Sequence, residues 1–445
     1  MNSQTLSVLV GLFCLMFAAS SHAESTTACR AHGQAALAAW TQGDDANAVK
    51  DFSPDTAAQA TPEKLKAVWS QLQGTAGAFR KLGDLQARTA NGYTLFAADM
   101  DFANLSFTAL IACDAHDRIT TFRIVPADAA VRGQASAPQS ATGIARAVQV
   151  PSPLGPLPGT LVLPKGDGPF PAVLMIVGSG PHDRDEAIGP NKAFRDLADG
   201  LAAAGVASLR YDKRTYAYGA KMTGSDVTVD KEVTDDAVTA LSLLAKQPHV
   251  DARRVFLLGH SLGAFMAPRI GERDPQLAGI IMMAAPTSFG LDTIIKQMRY
   301  QASLQGVPAA QIDQKLAPLI RQRDILAQAD PAHPPAGDFF HAPAGYWLSV
   351  RDYDPVATVR HLREPVLLLQ GAADIQVFAQ QDFAAWQAAF AHDPRVTLIE
   401  YPGLSHMFMP ASQPPSPGDY DRPAHVDAKV IGDIARWIKA QPDHS

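Results

Sequence analysis

A serine, a carboxylate and a histidine, which together perform nucleophilic catalysis, each follow an apolar run of the chain. The stretch Gly259–Gly263 reads Gly-His-Ser-Leu-Gly, which has the form G-x-S-x-G, and it follows the apolar run "VFLL". A serine hydroxyl is a weak nucleophile, so Ser261 needs a base that takes its proton and a carboxylate that orients the base. Asp374 and His406 each follow another apolar run, "PVLLLQG" and "VTLIEYPG". This order of serine, acid and histidine predicts covalent catalysis on an acyl group.

The context of the serine supports this interpretation. The motif lies between a predicted strand, "RVFLLGHS", and a predicted helix, "LGAFMAPRIGER". Its two glycines permit a turn tight enough to expose the Ser261 hydroxyl above the edge of the sheet. The N-terminus of the helix also favours negative charge at the same place. The alternative, in which Ser261 merely ends a buried strand, explains neither glycine.

An acyl intermediate carries a negative oxygen, which needs N–H donors around it. One donor is expected from Leu262, the residue after the nucleophile, and the other from the turn after the third strand of the sheet. That turn reads "VGSGP" over residues 177–181. We predict that the Ser179 N–H is the second donor, with Gly180 as the alternative.

Other ionisable side chains fit the catalytic roles less well. His260 stands inside the turn beside the nucleophile, where its side chain should point away, and Asp393 precedes its strand. Arg184 and Asp185, near the 177–181 turn, are expected to be ion-paired scaffolding. Four further histidines lie on loops without a matching carboxylate and are expected at the surface: His182, His249, His333 and His341. No zinc-binding or dinucleotide-binding motif occurs, so no metal and no cofactor is predicted.

The elements that must position these residues begin near residue 145. Strands and helices alternate from there to residue 441, which predicts a mostly parallel sheet with helices on both faces. Residues 287–346 interrupt the alternation with two amphipathic helices, and we expect this insert to cover the site as a cap. Its apolar side chains are expected mainly to pack, with an acyl pocket as the alternative: Phe289, Leu291, Ile294, Ile295 and Met298.

A different pattern precedes the alternation. Residues 24–126 contain two predicted helices followed by three β-rich runs, which indicates a small α+β domain. Residues 127–144 hold small residues, Pro and Gly with no apolar period, and are predicted to be a linker. The length of 445 residues suits two domains.

The first 23 residues read as a secretory signal. The apolar run Leu6–Ala19 is followed by "SHAE", with small residues where a signal peptidase cuts, although Lys and Arg are absent before it. A membrane anchor is the alternative, but the run is shorter than the roughly 20 residues that span a bilayer. We therefore predict an exported protein, periplasmic or secreted, with no membrane span after cleavage. Cys29 and Cys113 then favour one disulfide over two buried thiols.

The composition restricts the possible partners. A 47% hydrophobic and 18% charged content is typical of a globular protein. The net charge of −6, with no cluster of Lys and Arg, gives no basis for binding nucleic acid. Nothing in the sequence indicates an oligomeric state.

Five segments of the chain resemble α/β-hydrolase-fold serine esterases. They are "GSGPHDRDEAIGPNKAFRDLADGLAAAGVASLRYDKRT", "GHSLGA", "LLLQGAADIQV", "LSHMF" and "RPAHVDAKVIGDIARWI". These carry a small N-terminal domain of cystatin-like or nuclear-transport-factor-like fold, which residues 25–126 resemble less specifically. The resemblance implies cleavage of a small carboxylic ester through an acyl-enzyme on Ser261, without a cofactor. Many hydrolases have His-Gly where this chain has Val177-Gly178. The alternatives are a thioesterase, an acyltransferase, a serine peptidase and a silent ligand-binding protein.

Overall fold

The computed structural model describes residues 26–90, 93–103, 106–114, 116–126, 139–222, 227–274, 276–340 and 342–442. The predicted signal, residues 1–23, lies outside the described residues, as does most of the predicted linker. The chain divides into two compact units, residues 1–128 and 129–445.

In its described part, the first unit combines four helices with an antiparallel sheet. The helices are α1 (Thr26–Thr41), α2 (Asp45–Ala48), α3 (Pro54–Gln59) and α4 (Pro62–Ala76). The strands are β1 (Phe79–Leu82), β2 (Gln86–Ala90), β3 (Tyr93–Phe102), β4 (Ser106–Cys113) and β5 (Ile119–Pro126). They pair in the order β1-β3-β4-β5, with β2 also on β3. The sequence predicted α1, α4 and the last three strands; it missed β1 and β2, whose sequences FRKL and QARTA are short and polar.

The core of this unit is largely aromatic. Trp40 is fully buried, and its ring lies 5.0 Å from that of Trp69 and 5.5 Å from that of Phe122. A disulfide between Cys29 and Cys113 joins α1 to β4 with an S–S distance of 2.06 Å, as the sequence favoured.

The second unit is built on an eight-stranded sheet. It comprises β6 (Ile144–Val150), β7 (Leu157–Leu163), β8 (Phe170–Ile176), β11 (Ala207–Tyr211), β12 (Val250–His260), β13 (Gly279–Met283), β16 (Val366–Gly371) and β17 (Val396–Tyr401). The spatial order is β17-β16-β13-β12-β8-β11-β7-β6. The strands from β17 to β11 pair in parallel, whereas β7 pairs antiparallel with both β11 and β6. Two short hairpins lie outside this sheet: β9 (Ala187–Ile188) with β10 (Asn191–Lys192), and β14 (Asp338–Phe339) with β15 (Ala342–Pro343).

Helices cover the large sheet on both faces, and further helices belong to the insert. They are α5 (Ala193–Ala203), α6 (Arg214–Tyr218), α7 (Asp235–Ala245), α8 (Leu262–Gly271), α9 (Leu291–Leu304), α10 (Ala309–Gln328), α11 (Ala344–Leu348), α12 (Pro355–His361), α13 (Ala384–Phe390) and α14 (Ala428–Ala440). Short π-helical turns, Asp230–Thr234 and Ala379–Phe383, lead into α7 and α13. Along β12, Leu257 packs into one apolar core, while Phe256 and Leu258 pack into the other. Strands buried on both faces need such apolar runs.

The predicted fold class, an α/β hydrolase with a mostly parallel sheet preceded by a small α+β unit, is confirmed. In a parallel sheet, the loops that follow the strands share one edge, where ligands bind. The loops after β8, β12, β16 and β17 carry the predicted site residues. The segment between β13 and β16 contains α9, α10 and α11, and therefore includes the predicted cap insert.

Candidate active site

Ser261 occupies a strained turn between β12 and α8. Its φ of 53° lies in the left-handed region, which is uncommon for a residue with a side chain. The turn is tight because both glycines of the motif are in backbone contact. A Cβ on Gly259 would collide with the Gly263 carbonyl, and a Cβ on Gly263 would collide with the Ile176 carbonyl at the end of β8. The Ser261 N–H is held by the Met283 carbonyl at 2.9 Å, so the backbone around the serine is fixed.

Asp374 and His406 meet on the loops after β16 and β17. The His406 Nδ1 lies 2.7 Å from the Asp374 Oδ2, and both side chains are buried. The N–H groups of Gln376 and Val377 donate to Asp374 Oδ1 at 2.7 and 3.0 Å, and the Gln370 amide donates to Oδ2 at 3.2 Å. The carboxylate is thus fixed by several donors. Because Nδ1 is occupied by Asp374, Nε2 is the ring nitrogen of His406 that remains for proton transfer.

The close approach of these two loops has a simple cause at the end of β16. A Cβ on Gly371 would collide with the Leu404 carbonyl and would lie 2.5 Å from the Ser405 carbonyl. The backbone of the loop that carries His406 therefore passes directly over Gly371, and the Ala373 N–H donates to the Leu404 carbonyl at 3.0 Å. The absence of a side chain at residue 371 permits the contact between acid and base.

His260 links three parts of the site. Its side chain is buried, with Nδ1 lying 2.9 Å from Glu186 Oε1 and Nε2 lying 2.9 Å from the His406 carbonyl. The ring therefore connects the loop of the base with the segment after β8. Its ring centroid lies 4.6 Å from that of His406, which places the nucleophile and base loops side by side.

The two acceptors around His260 determine its charge. A backbone carbonyl and a carboxylate both accept, so both ring nitrogens donate and the ring is an imidazolium. Burial alone would lower the pKa of His260, but the Glu186 carboxylate and the two hydrogen bonds outweigh burial and raise it above the usual value. Burial opposes the ionisation of Glu186 as well, yet His260 holds the pKa of this carboxyl below its usual value. A buried ion pair is therefore formed by the residue that directly precedes the serine.

The turn after β8 lies against the nucleophile. A Cβ on Gly178 would lie 3.2 Å from the Ser261 Cβ, so turn and serine are neighbours. The Gly178 N–H donates to Glu186 Oε1 at 2.6 Å and is thereby occupied. The Ser179 carbonyl accepts from His182 Nε2 at 2.8 Å. Leu262 is the first residue of α8, where backbone N–H groups have no acceptor within the helix. Both predicted donors, Leu262 and Ser179, thus lie on elements that border Ser261.

Sequence reasoning missed Glu186. It stands in the run "DRDEAIGP", which reads as an exposed polar loop, and its positive φ of 49° leaves no mark in the sequence. Arg184 and Asp185 are scaffolding as expected: Arg184 pairs with Asp212 at 2.8 Å, and Arg210 pairs with Asp185 at 2.9 Å. Burial, together with the neighbouring carboxylates, raises the pKa of Asp183 to about 6.

Contacts from the insert reach the acid loop. In α9, Gln297 donates to the Gln376 carbonyl at 3.0 Å, and the Tyr300 ring lies 4.9 Å from that of Phe378. An open cavity of about 470 Å³ lies among the insert helices, and Phe289 and Leu291 are in its lining. All five apolar side chains of the predicted set pack in or against one apolar core: Phe289, Leu291, Ile294, Ile295 and Met298.

Within the described ranges, no three His, Cys, Asp or Glu side chains come together as a set that could hold a metal ion. None of the helices in the described part of the chain has the length and apolar character needed to cross a membrane.

Comparison with known proteins identifies the family. Residues 191–411 match the family model described as serine aminopeptidase, S33. The esterase EstD from Thermotoga maritima is 30% identical over 392 residues, which cover 88% of this chain and 91% of EstD. The esterase FrsA from Klebsiella pneumoniae is 31% identical over 161 residues, 36% of each chain. Among solved structures, Est1E from Butyrivibrio proteoclasticus is similar, with 17% identity, a TM-score of 0.43, and coverage of 67% of this chain and 99% of that one.

The similarity to EstD extends over most of both proteins, at 88% of this chain and 91% of EstD. The chain therefore belongs to the family of α/β-hydrolase-fold esterases that includes EstD, and it is a carboxylesterase-type hydrolase.

Proposed function

We propose that this esterase cleaves small carboxylic esters through an acyl-enzyme on Ser261, with Asp374 and His406 completing the triad. The observation that carries the proposal is the 2.7 Å contact between His406 Nδ1 and the fixed Asp374 carboxylate, on loops that follow neighbouring strands. The strained turn at Ser261 supports it, because strain of this kind recurs at nucleophiles that are exposed at the end of a strand.

The reaction follows from these positions. His406 Nε2 takes the proton of Ser261 as the serine oxygen attacks the ester carbonyl, and Asp374 stabilises the imidazolium that forms. The N–H groups of Leu262 and Ser179 donate to the oxyanion, an interaction that strengthens as the negative charge develops. His406 then gives its proton to the leaving alcohol. Water repeats the sequence on the acyl-enzyme, which releases the carboxylic acid and restores the serine.

The test is hydrolysis of p-nitrophenyl acetate, butyrate and octanoate by the wild type and by Ser261→Ala. Loss of the nucleophile should lower kcat by at least about 10⁴-fold, because the residual rate comes from binding and the oxyanion donors alone. Ser208→Ala is the matched control, since Ser208 is a fully buried serine on β11. The control should keep its activity. A Ser261→Ala enzyme that is as active as wild type would refute the triad.

The substrate class is tested by the same pair of proteins. Thioester and amide analogues of the preferred acyl group are compared with the p-nitrophenyl ester. An ester preference in kcat/KM supports the proposal, whereas a thioester or amide preference would favour the thioesterase or peptidase alternative. The chain-length trend among the esters then measures the acyl pocket.

We propose further that the mature protein is exported and begins after Ala23. The run Leu6–Ala19 with "SHAE" supports this, and so does the Cys29–Cys113 disulfide, because such bonds persist in oxidising compartments. N-terminal sequencing of the protein from the periplasmic or secreted fraction tests it. Recovery of the unprocessed chain from the cytoplasm alone would contradict it.

A further inference from the structure

A buried lysine lies on the reverse side of the turn that is proposed to bind the oxyanion. Lys213 follows β11, its side chain is 4% exposed, and its Nζ donates to the Gly178 carbonyl at 3.0 Å. The sequence gives no hint of this contact, because "YDKRT" reads as a charged loop. An ammonium group at such a depth is strongly destabilising unless it is well paired, so its position requires an explanation.

The Gly178 carbonyl and the Ser179 N–H belong to one peptide group. This peptide is trans, and in a planar trans peptide the C=O and N–H bonds point in opposite directions. The bond from Lys213 therefore fixes the direction of the Ser179 N–H, which points away from the lysine. A positive charge at the carbonyl also polarises the peptide and strengthens its N–H as a donor.

The lysine is itself held by a buried network. Glu232 Oε1 lies 3.3 Å from Lys213 Nζ and accepts from the Thr215 hydroxyl at 2.8 Å. The second oxygen, Oε2, accepts from the Tyr346 hydroxyl at 2.8 Å. Burial, with the Glu232 carboxylate beside it, raises the pKa of Tyr346 well above its usual value, so the hydroxyl stays a donor. Since Tyr346 lies on α11, the network connects the insert to the turn after β8.

The backbone connects the same two loops. The Lys213 N–H donates to the His182 carbonyl at 3.1 Å, and the Arg184 N–H donates to Asp212 Oδ1 at 2.9 Å. The loop after β11 is therefore joined to the turn at several points, and the Lys213 ammonium is the charged group among these contacts that reaches the peptide of Ser179.

We propose that Lys213 is a positioning residue for the oxyanion site: its bond to the Gly178 carbonyl orients and polarises the peptide whose Ser179 N–H receives the oxyanion. The inference rests on the proposed function, since it concerns the same acyl-enzyme reaction. It assigns the Glu232–Tyr346 pair the task of holding the ammonium against that carbonyl.

The test compares kcat and KM of the wild type with Lys213→Met/Glu232→Gln, which removes the ammonium without leaving an unpaired buried carboxylate. Loss of one oxyanion donor costs about 10²- to 10³-fold in kcat, so we expect a fall of about 10²-fold with KM within about threefold. A trifluoromethyl ketone, which forms an oxyanion adduct with a serine, should lose affinity in parallel. Glu232→Gln alone retains the lysine but removes the carboxylate that holds it, so it should lower kcat less than the double variant does.

The matched control is the adjacent buried ion pair. Arg214 bonds Asp236 at 2.6 and 2.8 Å, and both are as deeply buried as Lys213 and Glu232, but this pair does not reach the turn. Arg214→Met/Asp236→Asn should therefore lower the melting temperature with kcat within about threefold of wild type. Should Lys213→Met/Glu232→Gln not fold, Lys213→Gln/Glu232→Gln replaces it with the same expectation, because it also leaves no unpaired carboxylate and its side chain at residue 213 is too short to reach the carbonyl.

The outcomes separate this inference from the function on which it rests. If Ser261→Ala is inactive but the Lys213 variants keep kcat within threefold, or if the Arg214 control loses kcat equally, Lys213 is merely structural and the inference fails. If Ser261→Ala is itself active, the proposed function fails. A kcat loss confined to the Lys213 variants, with ketone affinity falling in step, supports the positioning role.

Discussion

The core of the first unit is built of aromatic and aliphatic side chains, and among the described residues its buried polar side chains are Ser53 and Thr108. The second unit buries charged groups instead, such as Glu186, Lys213 and Asp374, near the carboxyl ends of its parallel strands. An apolar core stabilises without electrostatic cost, whereas each buried charge must be offset by partners. Glu186 and Asp374 contact His260 and His406, and Lys213 contacts the turn beside Ser261. The contrast indicates that the buried side chains of the first unit serve mainly to stabilise it, whereas the buried charges of the second unit also position the candidate catalytic groups.

After Ser261→Ala, the largest expected effect in the second unit comes from Asp374→Asn. The amide keeps the size of the carboxylate but can present an N–H to His406, which disfavours the required tautomer. We expect kcat to fall by about 10³- to 10⁴-fold with the melting temperature little changed. Steady-state kinetics with p-nitrophenyl butyrate and a thermal melt measure both. A variant that loses stability but not kcat would mean that the carboxylate is scaffolding.

A smaller effect is expected from Glu186→Gln, which removes the charged partner of the His260 imidazolium. In this variant His260 is neutral. If its Nε2 still donates to the His406 carbonyl, its Nδ1 carries a lone pair that faces the amide oxygen of the new side chain. This repulsion should shift the loops that carry residue 186 and His406. A displacement of about 1 Å in a catalytic group costs on the order of 10²-fold. We expect a loss in kcat of about 10- to 100-fold, measured by steady-state kinetics with p-nitrophenyl butyrate.

The control for this variant is Glu364→Gln, at a buried glutamate just before β16. It should lower stability without a comparable loss in kcat. Equal losses of kcat in the two variants would show that removing any buried carboxylate lowers activity, which would contradict a specific role for Glu186.

The sequence predicted that Asp374 and His406 lie together, but it did not predict the roles of Glu186 and Lys213. Both results have the same physical origin. Ser261, Asp374 and His406 each follow an apolar strand, so local patterns suffice to place them at one edge of the sheet. Glu186 and Lys213 acquire their positions through contacts with distant residues, since His260 lies 74 positions from Glu186 and Gly178 lies 35 from Lys213. Charged loop residues look alike in a sequence, whether solvated or buried.

The strands β1, β2 and β6 were not predicted from the sequence, for a similar reason. β6 begins at Ile144, which is 45% exposed, and it lies at the edge of the large sheet, so its apolar pattern is weak. β1 and β2 pair only with β3 among the described strands, and they too lack a continuous apolar run. Edge strands of this kind are fixed by their neighbours rather than by their own residues.

For the first unit, we expect the disulfide to matter for stability and not for chemistry. Cys29→Ala/Cys113→Ala opens a loop closed over 84 positions, worth about 4.5 kcal/mol in the chain-entropy model. Calorimetry should show a lower unfolding temperature, while kcat for p-nitrophenyl esters stays within about twofold. A large fall in kcat at a temperature where the protein remains folded would contradict the claim that the disulfide affects stability and not catalysis.

The smallest expected effect is a pH dependence at Asp183. A carboxyl whose pKa is raised to about 6 in the folded state binds more protons there than in the unfolded chain, so stability falls as the pH rises from about 4 to 6. Asp183→Asn cannot ionise, and its amide oxygen can still accept from the Ala187 N–H. The variant should therefore gain about 2–3 kcal/mol relative to wild type as the pH rises from 4 to 7.

Urea unfolding at pH 4, 5, 6 and 7 measures this difference in the free energy of unfolding. Asp167→Asn, at an exposed aspartate, is the control. A difference between Asp183→Asn and wild type that stays constant across this range would contradict the raised pKa.

The central claim is that Ser261 is the nucleophile, and covalent trapping tests it most directly. A p-nitrophenyl phosphonate ester is incubated with the wild type, the released p-nitrophenol is counted, and the modified residue is identified by peptide mass spectrometry. We predict one equivalent released per chain, a phosphonyl group on the peptide that contains Ser261, and loss of esterase activity in proportion. Inactivation with the adduct on another residue, or full modification of Ser261 with activity retained, would contradict the account.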